Sequence, residues 1–415
     1  MRDCFRIAVR QFEPFESAIR KQWADFSRQH GSGLGLEVVP MDLHTLHHAL
    51  FEDEALRSGG FDLAFINTDW LAQADRQNAL VDLTPLLHHD PPQDYPGGWS
   101  PSLLRLQSMN GRILGVPYHD GPETLSFRSD LFGDSKEQGA YARLHGKELR
   151  PPESWEEFHQ IARFFQRPQK GLYGAVFAAF PDGHNTVYDF LLQLWTRGGE
   201  LFDSQGRLTL ITPQAEAALA FYRAMLQDRS ATHPECHHFD SVRAGMAFAK
   251  GEVAMMVNWF GFAAMAQTIS ESAVKGCVDL APIPHCAGAA STSLNIYWLL
   301  CIPTGSPRPD CSYAFLRHCM SQEMDKLLTL EGGVGCRRST WNDPEVNSII
   351  PFFHRAEEIH RNARELPALE IWPLIASLVD ELVVRVIQAQ QPIPELLKEA
   401  QANASRLGLD RIHCG

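Results

Sequence analysis

The sequence has no long apolar run, no C-x-x-C pair, no excess of positive charge and no nucleotide-binding or catalytic signature, and each absence removes a class of function. Its most apolar stretch, residues 246–265, is broken by Lys250, Glu252 and Asn258, short of the roughly 18 uninterrupted apolar residues of a membrane span. Direct membrane insertion is therefore not expected. Against 50 Asp and Glu there are only 37 Lys and Arg, a formal charge of -13. A surface with that field repels phosphate backbones and anionic lipid, so nucleic acid is not an expected partner. There is no G-x-S-x-G elbow, no phosphate-binding loop with its Lys and no H-E-x-x-H pair. The glycine-rich stretch Gly31-Ser32-Gly33-Leu34-Gly35 follows a helical pattern and precedes a strand, the reverse of what phosphate binding at a helix N-terminus requires, and it reads as a connecting loop. An enzyme is unsupported by any motif but stays open at this point, and no catalytic residue or cofactor is assigned.

Nine cysteines are scattered singly, seven of them within 236–336. Cys311 and Cys319 share one helical pattern, in which their Cα atoms stand about 12 Å apart, too far for a disulfide. Other pairings, such as Cys277 with Cys286, stay open. So many unpatterned thiols lean towards a reducing compartment. The opening Met1-Arg2-Asp3-Cys4-Phe5-Arg6 carries charge where a secretion signal needs an apolar core, so no signal is recognisable and Cys4 is no lipid-attachment motif.

What is present is a large globular composition, 44% apolar and 10% aromatic over 415 residues, enough for about two or three domains. Phe5, Ile7 and Val9 alternate as a strand. Pro14 opens a helix carrying Phe15, Ile19, Trp23 and Phe26 at the 3.6 period, and 36–39 and 61–66 give two further strands. This strand and helix alternation predicts an α/β fold with a parallel sheet. Ligands of such sheets bind beyond the strand carboxyl ends, which marks Gln11, Phe12 and Glu13 after the first strand and Asn67, Asp69 and Trp70 after the third. A loop at 91–98 and a hairpin at 111–118 follow. From Glu153 onward the pattern turns helical, with a Ser154/Glu157 capping box, a Thr212-Pro213 helix start, and a tail helix bearing Leu374, Leu378, Val383 and Ile387. A second, helix-rich lobe is expected.

Two histidine groups have metal-like spacing: His44, His47 and His48 on one helical face, and His233-x-x-Cys236-His237-His238. Both read more simply as a solvated face and a polar loop, so no metal site is assigned. The nine tryptophans say more. Trp23 and Trp155 fall on periodic faces and read as core. Trp70, Trp195, Trp259, Trp298 and Trp372 lie at strand ends or near Gly, Asn and Pro, where a ring can stack on the apolar face of a sugar.

The order of motifs resembles the extracellular solute-binding proteins of family 1, the maltose-binding-like receptors of ABC sugar importers. The resemblance rests on GRILGVPY (111–118), TLSFRSDLF (124–132), PPESWEEFHQIARFF (151–165), GLYGAVFA (171–178), LLQLWTRGGELFDSQGRLTLITPQAEAALAFYRAML (191–226), SVRAGMAFAKGEVAMMVNWF (241–260), WLLCIPTGSPRPDCSYAFLRHCMS (298–321), GVGCRRSTWNDPEV (333–346) and QPIPELLKEAQANASRL (391–407). It implies a two-lobed periplasmic-binding-protein-like fold of type II whose lobes are joined by a multi-strand hinge. The first lobe would take 1–120 and 299–345, the second 121–298 and 346–415, with hinge crossings at 118–123, 296–302 and 342–347. It further implies reversible binding of a mono- or oligosaccharide in an interlobe cleft with hinge closure, a membrane permease as partner, a monomer, and a periplasmic or cell-envelope address, against which a cytoplasmic one stands on the missing signal. Carried over by position, the cleft groups are Asp69 and Trp70, Tyr118, His119 and Asp120, Trp259, Trp298, Arg337 and Trp372; Asn258, Asn295 and Tyr297 beside them, and Trp195, are further ligand-binding candidates. The alternatives are the same fold holding a polyol, sugar phosphate or other small solute, a glycosidase or lyase with two carboxylates across the cleft, and a metal receptor.

Overall fold

The computed structural model describes residues 4–31 and 33–409. Met1 to Asp3, Ser32 of the glycine-rich loop and Cys414 are outside the described residues. In chain order the strands of the two main sheets are β1 (Cys4–Arg10), β2 (Gly35–Met41), β3 (Leu63–Asn67), β4 (Val116–His119), β5 (Glu123–Arg128), β6 (Tyr173–Val176), β7 (Val253–Trp259), β8 (Val278–Ala281) and β9 (Trp298–Cys301). The helices that cover them include α1 (Glu13–His30), α2 (Trp155–Phe165), α3 (Asn185–Trp195), α4 (Pro213–Gln227), α5 (Trp372–Gln388) and α6 (Ile393–Arg406). Two compact units result: one holds the chain up to Gly121 and Ile296–Arg361, the other Pro122–Asn295 and the chain from Asn362.

The first unit is built on a five-stranded sheet in the order β2-β1-β3-β9-β4. β1 runs parallel to β2 and β3, whereas β9 is antiparallel to both β3 and β4, so the sheet is mixed rather than wholly parallel. All five residues of β3 are buried, as a central strand covered on both faces requires. Glu13 and Pro14 start α1, and Phe15, Ile19, Trp23 and Phe26 are the buried stripe expected of them. Trp23 stacks on Phe5 of β1 with centroids 4.6 Å apart. Each large side chain removed from water in this way contributes about 1.5–3 kcal/mol. Gly31 closes α1 at φ 64°, a left-handed position where a side chain would be strained.

Residues 346–361, expected in the second lobe, belong to the first unit. Trp341 stacks on His360 with centroids 5.4 Å apart and planes at 15°, and Arg338 donates to Glu357 at 2.6 Å, which ties that segment back onto 338–341. The last crossing thus falls at 361/362, and 342–347 runs into the helix Pro344–Ile349 inside the first unit.

The second unit carries a four-stranded sheet in the order β8-β5-β7-β6. β5 is antiparallel to β7 and β8, and β6 joins β7 in parallel. Ser154 caps α2 by accepting from the Glu157 amide at 3.2 Å, and the Glu157 carboxylate accepts in return from the Glu153 amide at 3.1 Å. Thr212 caps α4 by accepting from the Ala215 amide at 3.1 Å. α2 and β6 meet without a gap at Gly174, where a Cβ would fall 1.8 Å from the Ala162 carbonyl oxygen. Every residue of α3 is buried, with α4 and α5 packed against it. Among the described residues no helix is long and apolar enough to cross a membrane, and the eight described cysteines are unpaired.

Candidate functional site

In the first unit the ladder itself assembles the strand-end residues. Trp298 at the start of β9 pairs with Asn67 at the end of β3 and with His119 at the end of β4. Asn67 is the cap of the short turn Thr68–Trp70 and places Trp70 beside the same edge. Trp298 is half-buried and meets Trp70 edge to face, and Phe65 lies 6.3 Å behind it. Phe12 and Phe15 pack around His119 at 6.3 and 4.5 Å. Burial pushes the His119 imidazole down to about 3 against the opposing pull of Asp120, and its Nδ1 accepts from the Val334 amide at 3.0 Å. The ring is thereby held neutral with its proton on Nε2. Asp120 follows, 2% exposed, with Oδ2 2.6 Å from His360 Nε2 and with Oδ1 buried and without a partner. Gln11 and Glu13 are exposed at the end of β1, and Asp69 is half-buried.

Three candidates of this unit are structural. Arg337 is 1% exposed and spends its guanidinium internally: on the carbonyls of Gln93 and Met320 at 3.1 and 2.8 Å, on Asp94 at 3.0 Å, and stacked 4.4 Å over Trp99. It fastens the 91–99 loop and has no free fork to offer an anion. Tyr118 is buried and donates to Gln22 Oε1 at 2.8 Å, and the buried Tyr297 donates to the Leu103 carbonyl.

In the second unit Trp259 ends β7, half-buried, and meets Tyr188 of α3 edge to face at 5.7 Å and 83°. Asn258 is occupied within the fold, donating to the Ser241 carbonyl at 3.0 Å and accepting from the Trp259 amide at 2.8 Å. Trp195 has a ring face already covered by the Arg364 guanidinium at 4.4 Å, itself paired with Glu200 at 2.6 Å. Trp372 is 2% exposed at the start of α5, a core position. Asn295 is 1% exposed and neither its side-chain oxygen nor its nitrogen has a partner.

Sequence reasoning did not single out Glu123, Asp189, Tyr222, Ser102 and His360. Glu123 begins β5 and its Oε2 is buried without a partner. Burial, and then the charge of Asp189, hold its carboxyl well above the ordinary range. Asp189 accepts from Tyr222 at 2.6 Å, and burial raises it to about 7. A carboxylate directly after Gly121-Pro122 at a strand start was a readable signal for Glu123. His360 had none.

One histidine of each group is held by protein contacts. His47 bonds Gln73 at 2.9 Å and sits on Trp70, and His233 accepts from the Glu235 amide and packs on Tyr173. Among the described residues no three His, Cys, Asp or Glu side chains are grouped to hold a metal ion.

Residues 21–347 match the model of the family described as bacterial extracellular solute-binding protein. A binding protein of Brucella abortus is 23% identical over 246 residues, 59% of this chain and 54% of that one, so the match spans about half the length of that relative. The maltose-bound MalE3 of T. maritima superposes with a TM-score of 0.84 at 22% identity, covering 97% of this chain and 99% of that one. An ABC transporter solute-binding protein of Agrobacterium radiobacter K84, solved with ribitol, gives 0.85 at 22% identity, with 97% and 98% covered. These likenesses establish the α/β fold of MalE-type periplasmic binding proteins. With more than half of its length matched by the family model, the chain belongs to the bacterial extracellular solute-binding proteins, which are receptors and not enzymes.

Proposed function

We propose that the protein is the receptor of an ABC-type importer and that its solute is a neutral hydroxylated molecule, a sugar or a polyol, bound without turnover in the cell envelope. The observation that carries this reading is the pairing, one ladder position apart, of a half-exposed Trp298 ring with the unpartnered buried oxygen of Asp120. An aromatic plate takes the apolar face of a ring or polyol chain, and a carboxylate oxygen takes a hydroxyl donor. His119, fixed neutral beside them, adds a donor that carries no charge. The structures bound to maltose and to ribitol support both solute classes as the first to try. A sugar phosphate is disfavoured, because Arg337, the basic group it would need, is committed inside the fold.

A thermal-shift screen against saccharides, polyols, sugar phosphates, amino acids and divalent metals tests this, since a ligand selective for the native state raises the melting temperature. Stabilisation by a neutral saccharide or polyol that is recovered unchanged is expected. A solute consumed on incubation, or stabilisation by zinc or a phosphorylated sugar alone, overturns it.

A further inference from the structure

A buried line of hydrogen bonds in the first unit joins four residues from three distant segments. Ser100 Oγ lies 2.9 Å from Ser102 Oγ, Ser102 Oγ 3.1 Å from His360 Nδ1, and His360 Nε2 2.6 Å from Asp120 Oδ2. All four residues are more than nine-tenths buried, and Trp341 stacked on the imidazole keeps the ring from turning. Where Nε2 carries the ring proton and Nδ1 accepts, the donors run one way: the Ser100 hydroxyl to Ser102, the Ser102 hydroxyl to Nδ1, and Nε2–H to Asp120. Every hydrogen in the line is spent, and Asp120 Oδ1 receives none. Serine, histidine and aspartate in contact suggest a hydrolase triad, but Ser102 Oγ is engaged on both sides, by Ser100 Oγ and by His360 Nδ1, and is committed to the line. What the line leaves unfilled is its far end, a buried carboxylate gripped by one oxygen while the other has no donor. Buried acceptors are rarely left so, and Oδ1 is the point of the line where a further donor, a solute hydroxyl or a water, would fit.

We propose that Ser102 and His360 are positioning residues for solute selection: they hold Asp120 so that Oδ1 accepts a hydroxyl of the bound solute, which favours neutral hydroxylated ligands and turns away anions. This rests on the receptor reading given above. The segment bearing His360 returns to the first unit just before the last crossing, which explains why a residue so far along the chain supports a group at position 120.

The test uses maltose and ribitol as probes in calorimetric titrations of the wild type, Asp120→Asn, His360→Leu, His360→Gln and the Asp120→Asn/His360→Leu double variant, each first checked for cooperative melting. His360→Leu is expected to weaken binding of the probe about tenfold or more, and His360→Gln, whose amide can still donate to Oδ2, to recover most of it. The double variant should bind about as weakly as Asp120→Asn alone, because the two residues act through one contact. Wild-type affinity in His360→Leu, or losses that multiply in the double variant, overturns the proposal. Nitrogen NMR of the imidazole supplies a ligand-free measurement: His360 Nε2 should carry a proton and Nδ1 should accept, and a ring protonated on Nδ1 alone overturns the line as drawn. If the wild type binds neither probe nor any other member of the sugar and polyol screen, the receptor reading falls, and the NMR result still decides the arrangement around Asp120.

Discussion

Trp70 and Trp298 meet edge to face, their ring centroids 5.6 Å apart and their planes at 87°, yet they do opposite work. Trp70 is 2% exposed and supports the edge from behind, whereas Trp298 keeps part of its surface open. Trp70→Ala is expected to cost about 3–5 kcal/mol of stability in urea unfolding. Trp298→Ala should instead weaken saccharide or polyol binding about tenfold or more, about 1.4 kcal/mol, with a smaller change in melting temperature. Equal affinity in wild type and Trp298→Ala would remove the stacking role.

Arg337→Met should lower stability by about 2–3 kcal/mol, since it strips donors from the Gln93 and Met320 carbonyls and uncovers Trp99. Solute affinity of the folded variant should stay within about twofold of wild type. A selective loss of affinity with unchanged unfolding would return Arg337 to the binding surface.

Asp189 gives the second unit a pH dependence. Burial raises its carboxyl to about 7, whereas an unfolded aspartate titrates near 4. Below about pH 4 both states hold the proton and the contribution is complete. As pH rises from about 4 to about 7 only the unfolded state releases it, and that stability is lost. Glu123, also raised, adds in the same direction. Asp189→Asn, which can still accept from Tyr222, should therefore flatten the fall in melting temperature between pH 5 and 7.5. An identical slope in both proteins would show that the pair is not what titrates.

His119 works with the opposite sign. Its folded imidazole stays neutral down to about 3, while an unfolded histidine takes a proton near 6.5, so stability falls as pH drops below that value. The His119 ring resonances should not move between pH 5 and 8, and Nε2 should carry the proton. A titration midpoint near 6.5 would contradict the Val334 amide as its fixed donor.

Gly174→Ala should destabilise the second unit by about 3 kcal/mol or more, because the new methyl would meet the Ala162 backbone rather than a side chain that could swing away. Chemical unfolding with near-wild-type stability would show that α2 can lift from β6.

What could be read from the sequence was what period and local chemistry encode. The α1 stripe from Phe15 to Phe26, the Ser154 and Thr212 caps and the strand-end positions of Asn67 and Trp298 all follow from neighbours in the chain. The antiparallel β9 did not, since a strand's direction is set by connections two hundred residues away. Arg337 and Trp195 look in sequence like ligand-binding groups, and only their partners Asp94, Trp99 and Arg364 show them spent. His360 was invisible because its value lies in reaching Asp120 across 240 positions.

The interleaving of the two units also dictates an order of assembly. On an emerging chain β3 and β4 appear early, but β9, which lies between them in the sheet, follows only after most of the second unit has been made. Until then β3 presents an unpaired edge, the kind of surface that invites the wrong strand. A nascent chain halted at 361 already carries everything the first unit needs, while the second still lacks α5 and α6. The unit that starts first is thus the first that can finish, and limited proteolysis of chains arrested at 295 and at 361 should show protection of the first unit only in the longer one.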